Sequence, residues 1–199
     1  MCGDAAGGGT TLVFSGDLGR GSDLLMPPPQ RIARADVLLA ESTCGDRLHP
    51  AEDVPARLGA IIRRAVRRGG SVPLPSFVVG RAQALAAGAA TSAQQRYPIV
   101  FPGFQVAGTR GAKLVEGARE VKIFGEYIAV KAEVSHFEGF SGHADADELL
   151  QWLRGFEAEP ARTFVIHGEP HATDALRTRV QDELGWNVQV PGQMESVAV

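Results

Sequence analysis

The sequence predicts an α/β protein. Three observations carry this: short apolar runs of strand length recur along the chain, one longer segment repeats its apolar residues at helical spacing, and several runs end on acid, base or metal-capable side chains. Residues 11–15 (TLVFS) read as a buried strand closed by the Gly16-Asp17 turn, and 36–40 (DVLLA) as a second strand delivering Glu41. From Pro50 to Arg68 the positions Val54, Leu58, Ile61, Ile62, Ala65 and Val66 trace one helical face, and Gly69-Gly70 stops that helix. A strand at 71–75 (SVPLP) follows, so 36–75 reads as a right-handed βαβ unit. Residues 80–90 suit an Ala-rich helix, about 90–98 form a polar seam, and Ile99-Val100-Phe101 make a strand. A hairpin over 119–124 and 127–134 turns near Gly125-Glu126. Asp145, with Glu148 three residues on, predicts a capped helix whose apolar side carries Leu149, Leu150, Leu153 and Phe156. Residues 162–166 (RTFVI) are a strand ending at His167, and a helix at 171–184 with a strand at 187–190 completes a second βα unit.

Composition bounds the rest. The 199 residues, 44% apolar and 22% charged, suit one domain, or one with a small attachment. Such a globule buries roughly 70% of the surface of its unfolded chain. Disordered, collagen-like and coiled-coil readings are excluded. No apolar run approaches the roughly 18 residues of a membrane span, and MCGDAAGGGTT lacks the features of a signal peptide. A soluble, cytoplasmic protein with no membrane partner is expected. Cys2 and Cys44 are too few and too scattered for a disulfide frame or a cysteine metal site. A net charge of −3 argues against a generic basic nucleic-acid binder, yet 17 of the 20 basic residues are Arg, the better bidentate phosphate ligand. Arg63, Arg64, Arg67 and Arg68 cluster at a helix end, where both dipole complementation and an RNA contact are open readings.

Asp17, Glu41 and His167 stand just beyond strand ends and His143 just before a helix. Two imidazoles with carboxylates are the materials of a zinc site. The stretches SGDLGR (15–20), ESTCGDRLH (41–49), PSFVVGRAQ (75–83), GFSGHADADELLQWL (139–153) and VIHGEP (165–170) occur in that order. Together they closely resemble the β-CASP branch of the metallo-β-lactamase superfamily, zinc-dependent hydrolases that process RNA. The last two stretches resemble that family's C-terminal RNA-specificity segment, and the resemblance spans nearly all of 11–199.

By resemblance, Asp17 is the aspartate bridging two zinc ions and His167 a ligand of the second zinc. Glu41 is the acidic residue of the first β-CASP motif and orients His143, the general acid that protonates the leaving oxygen. Ser76 and Arg81 fall in a stretch near the substrate cleft and are candidates for phosphate contact. The residue types suit the roles: a carboxylate bridges cations, a neutral imidazole binds zinc, and a carboxylate fixes the orientation of an imidazole. Two metals activate a water and stabilise the charged transition state.

The departures shape the expectation. The family hallmark H-x-H-x-D-H does not occur here, nor does the zinc-binding histidine that normally precedes SGD. The seam near 90–98 stands where the family carries most of its β-CASP insert. The resemblance therefore implies an N-terminally truncated, internally shortened chain: the second half of the αββα sandwich with a reduced insert. Its segments would be 1–41 (partial metallo-β-lactamase strands), 42–110 (shortened β-CASP) and 111–199 (C-terminal RNA-specificity part). Asp17, His143 and His167 would offer at most a reduced three-ligand site, with partial zinc occupancy in place of two ions. The implied function is RNA phosphodiester hydrolysis, impaired in this chain, with a non-catalytic RNA-binding or interaction module as the alternative. RNA is the expected partner, and self-association or a companion chain would cover the faces left bare. Of the other candidates, His136 reads as structural or exposed, His171 as surface and His49 as a loop residue with a possible part in shaping the cleft. Cys44 reads as a tolerated substitution with no base beside it.

Overall fold

A computed structural model describes residues 9–21, 23, 26–73, 98–103, 105–123 and 125–197. In chain order the first elements are β1 (Leu12–Phe14), β2 (Val37–Glu41), α1 (Val54–Arg67), β3 (Ile99–Pro102), α2 (Arg110–Val115) and β4 (Glu120–Ile123). There follow β5 (Glu126–Ala129), β6 (Val134–Phe137), a 3₁₀ turn (Glu138–Phe140), α3 (Ala146–Leu153), β7 (Arg162–Ile166), α4 (Pro170–Leu184) and β8 (Val188–Gln189). The α/β class is therefore observed. Among the described residues no helix is long and apolar enough to cross a membrane.

Packing divides the chain into two compact units, Met1–Leu48 with Gly142–Val199, and His49–Ser141. The segment expected over 111–199 is thus shared between the two, and 42–48 belongs with the first.

The first unit is built on an all-parallel sheet of order β1-β2-β7-β8. Parallel strands are stable when apolar residues cover them, and the VLLA run of β2 takes a central place, with Leu38 aligned on Val13 and Thr163. Val13, Leu38, Ala40, Val165 and Val188 form one core with Leu149, Leu150 and Leu153 of α3 and Leu176 and Val180 of α4. Phe156 seals its end, set edge-on between Trp152 (5.3 Å) and Trp186 (5.8 Å). On edge strand β1, Leu12 and Phe14 alternate with buried Val13 and are 62% and 63% exposed. The capping box forms as expected: Asp145 accepts from the Asp147 and Glu148 amides, both at 3.0 Å, and the Asp145 amide donates to Glu148 at 3.1 Å.

In the second unit α1 starts at Asp53, whose carboxylate accepts from the Ala56 amide at 2.9 Å. It buries Val54, Ile61 and Ala65, with Leu58 packed alongside. The six-residue face expected for this helix is narrower in fact, because Ile62 and Val66 are exposed. β3 and β6 pair in parallel, and β4 and β5 form an antiparallel hairpin turning through Gly125 at φ +90°. The expected second hairpin arm over 127–134 thus ends at Ala129, and Val134 opens a different strand.

The βαβ unit expected over 36–75 is not found. Residues 71–73 are not a strand, 74–75 lie outside the described residues, and the parallel neighbours of β2 are β1 and β7. Pro73 explains the short pairing: it has no amide to donate, and only its carbonyl takes part, accepting from Val100 at 3.1 Å. The helix expected over 80–90, and the seam up to Tyr97, lie outside the described residues.

Candidate functional site

All four principal candidates fall in the first unit, at the carboxyl end of its parallel sheet. Such edges gather loops from successive strands, which makes them the usual place for a site. The Ser15–Gly19 loop after β1 ties the ends together. The Ser15 amide donates to Leu39 O at 2.9 Å, and its hydroxyl donates to Gly16 O and accepts from the Glu41 amide at 3.0 Å. On its far side Gly19 bridges His143, and the Ala144 amide donates to Leu18 O at 2.7 Å. The loop thus sets the start of α3 against the end of β2.

Glu41 is 2% exposed. A carboxylate so buried needs donors, and three reach it. The Leu18 amide (2.8 Å) and His143 Nδ1 (3.2 Å) meet Oε1, and the Thr43 amide (3.0 Å) meets Oε2. An ionised carboxylate only accepts, so Nδ1 of His143 carries the proton in this bond. Burial pushes the Glu41 carboxyl up, but the hydrogen bonds from His143 and Thr43 outweigh it and hold the group below its ordinary value. His143 moves the other way. Its bond to Glu41 raises its pKa, burial opposes this, and the charges of Glu41 and Asp17 add to the rise. The arrangement can keep an imidazole protonated beyond its ordinary range and aim it, as a general acid requires.

The second pair is open to solvent. His167 Nδ1 faces Asp17 Oδ1 and Thr43 Oγ1, each at 3.4 Å, with side-chain exposures of 59% for His167 and 67% for Asp17. The Thr43 hydroxyl also donates to His167 O at 3.2 Å. His167 sits at φ +55°, in the left-handed region that non-glycine residues rarely occupy. Gly168 next to it has a clear reason to be glycine: a Cβ there would lie 2.3 Å from Ser42 Oγ and 2.8 Å from Thr173 Oγ1. A cavity of about 480 Å³ opens beside Asp17, its wall including Phe14, Leu18 and Gly142.

Thr43 lies inside the ESTCGD stretch, where nothing but its neighbours marks it. It serves both pairs, through its amide to Glu41 and its hydroxyl to His167. Ser76 and Arg81 lie outside the described residues. His136 is in the second unit, its Nε2 2.8 Å from Gly103 O, and His171 on the surface of the first lies 3.1 Å from Asp46. Cys44 is buried. His49 stands at the start of the second unit.

A zinc centre does not fit the donors that the structure brings together. Both imidazoles turn Nδ1 to a carboxylate, which leaves Nε2 as the nitrogen open to a metal, but among the described residues no three His, Cys, Asp or Glu side chains are grouped to hold a metal ion. The three-ligand site expected from Asp17, His143 and His167 is therefore not formed. Glu41 engages His143, and Asp17 and His167 are left as a pair.

Comparison with known proteins adds the following. A family model described as a Zn-dependent metallo-hydrolase RNA specificity domain matches residues 127–191, which include His143 and His167. Ribonuclease TTHA0252 of Thermus thermophilus is 28% identical over 264 aligned residues, covering 86% of this chain and 60% of its own length. That alignment is longer than the chain itself, so the relative carries internal stretches with no counterpart here. Transcription termination factor FttA of Pyrococcus abyssi is 33% identical over 51% of this chain and 16% of its own length. Integrator complex subunit 11 of Gallus gallus is 32% identical over 51% of the chain and 16% of its length. The chain spans less than two thirds of each of these relatives.

Proposed function

Because the chain belongs to the metallo-β-lactamase β-CASP family of RNA-processing proteins, we propose that it acts on RNA, as the acid-base and RNA-engaging portion of a zinc-dependent phosphodiester hydrolase. The observation that carries this is the Glu41–His143 pair: a 2% exposed carboxylate with its Oε1 3.2 Å from an imidazole whose pKa it raises. In this role Glu41 holds the ring through Nδ1, and the protonated ring gives a proton from Nε2 to the oxygen that leaves phosphorus. Asp17 and His167 mark the metal side, and Ser76 and Arg81 are assigned to phosphate contact. Zinc would supply a bound hydroxide and charge stabilisation; among the described residues the donor set falls short of holding it. Hydrolysis by the isolated chain is accordingly weak or nil, and a cytoplasmic setting fits a substrate of this kind.

The shortage of metal donors favours a second reading, a non-catalytic RNA-binding module. The two are separated by incubating the chain with end-labelled single-stranded RNA and zinc, following both binding and cleavage. The hydrolase reading expects slow cleavage that His143→Ala abolishes. The module reading expects salt-dependent binding that survives His143→Ala and His167→Ala, with no cleavage. Metal analysis by mass spectrometry is expected to find less than stoichiometric zinc. Two tightly held ions per chain would overturn the donor-poor description of the site.

A further inference from the structure

We propose that the last turns of α1 form a phosphate-contacting patch for single-stranded RNA, built by Arg63, Arg67 and Arg68. The inference rests on the reading of the chain as a protein that acts on RNA, and adds a surface to it.

The helix geometry sets the patch. Residues 63 and 67 are neighbours four apart on the helix surface, as are 64 and 68, so the four residues leave the helix in two adjacent rows. All four residues are exposed; Arg63 and Arg67 lie on the side of the helix away from Val54, Ile61 and Ala65, and Arg68 is the cap that follows its last turn. Arg64 is committed to Glu133. Arg63, Arg67 and Arg68 have no acidic partner among the described residues, and the Arg67 Nε contact is to the carbonyl of Arg63, at 3.3 Å.

Most other helix-borne arginines have an acidic partner: Arg57 pairs with Glu52 and lies over the Phe137 ring at 4.2 Å, Arg177 pairs with Asp174, and Arg179 with Asp147 and Glu183, while Arg110 donates to the Lys122 carbonyl. Like charges four apart on a helix repel, and the attraction of a helix C-terminus for cations is modest and confined to the last turn. Three neighbouring guanidiniums without an acidic partner among the described residues, in a chain of net charge −3, therefore point to an anionic partner. Arginine matches phosphate with a planar fork of donors, and arginines on neighbouring turns, with Cβ atoms about 5–6 Å apart, suit a polymer with a phosphate at every residue.

The test is fluorescence anisotropy of labelled oligo(U) with the full chain over a range of salt, comparing wild type with an R63Q/R67Q/R68Q variant. Single strands contribute roughly 0.7 to the salt slope per phosphate neutralised, so loss of three contacts makes the slope shallower by about 2. The R63K/R67K/R68K variant keeps the charges and is expected to restore the slope while binding more weakly at fixed salt. Wild type that binds with an unchanged slope in the glutamine variant overturns the patch and leaves the RNA reading standing. A lower Tm with unchanged slope overturns it too, in favour of a merely structural role at the helix end. Displacement of the RNA by poly(glutamate) as readily as by unlabelled oligo(U) would reassign the patch to acidic polypeptides. Failure of the wild type to bind RNA at all would defeat the functional reading itself.

Discussion

Glu41→Gln tests the buried pair with the least change of shape. The carboxylate accepts from Leu18 and His143 at Oε1 and from Thr43 at Oε2. A glutamine keeps the first two bonds if its carbonyl takes the Oε1 position, but its NH₂ then opposes the Thr43 amide. The reverse orientation loses two bonds, so the first is adopted. One buried donor left without an acceptor costs about 1–3 kcal/mol, which in a chain of this size lowers Tm by roughly 2–4 °C per kcal/mol. The pH dependence gives the sharper readout. Glu41 has a lowered folded pKa, so its contribution is present above the unfolded value of about 4.3 and is lost as pH falls through the folded one. His143 has a raised folded pKa, so its contribution is complete below about 6.5 and is lost as pH rises through the folded value. The stability advantage of wild type over Glu41→Gln should therefore be widest between about pH 4.5 and 6.5 and shrink on both sides. NMR titration of His143 in the variant should give a lower pKa than in wild type, because burial then acts without the carboxylate that opposed it. An unchanged His143 pKa, or a stability difference flat across the whole range, would refute the pairing argument.

Two further substitutions examine the frame of the site. Gly168→Ala forces a Cβ to within 2.7 Å of Ser42 O and 2.8 Å of Thr173 Oγ1. It should cost about 1–3 kcal/mol in urea denaturation, whereas Gly142→Ala, with nothing within 4 Å of the new Cβ, should cost much less. Equal effects would show that the loop at 42–45 and the start of α4 do not approach as closely as these distances state. Asp145→Ala removes the side-chain half of the capping box on α3, the bonds from the Asp147 and Glu148 amides, and should destabilise by about 1 kcal/mol. Amide exchange should quicken first at Asp147 and Glu148, and unchanged protection there would count against the cap.

Where residues carried a local signal, the fold was legible. The β2 and β7 runs, the Asp145 cap and the Gly69 stop all have neighbours that act on them directly. The α1 face was read too wide because its steps of one, Ile61 to Ile62 and Ala65 to Val66, swing side chains away from the contact line. Periodicity marks such residues as apolar without showing which of each pair meets the core. The hairpin was read too long for a related reason. Ile128, Val130, Ala132 and Val134 all pack on one cluster, so the alternation runs on unbroken while pairing passes from β4 to β3. The sheet order was not legible, since β7 joins β2 from far downstream and no local pattern encodes its neighbour. At the candidate site, Asp17, Glu41, His143 and His167 were singled out by strand-end position and motif resemblance. The structure puts Glu41 with His143 and Asp17 with His167; their chemical roles stay with the proposal. The Leu18 and Thr43 amides on Glu41 carry no trace in the sequence, because a backbone amide is a group that every residue but proline has.

The interrupted first unit has a consequence for how the chain comes to fold. Its sheet pairs β2 with a strand on the far side of the whole second unit, and the hydrogen bonds that close the site join residues 102 and 124 positions apart. Contacts of that range are entropically slow to form. During synthesis β2 must wait, apolar and unpaired on one edge, while residues 49–141 emerge and settle as their own body. The bond from His143 to Glu41 can form only once the residues at the start of α3 have been made. A nascent chain stalled before residue 143 would display the bare edge of β2, and that interval is when misfolding and capture by chaperones are to be sought.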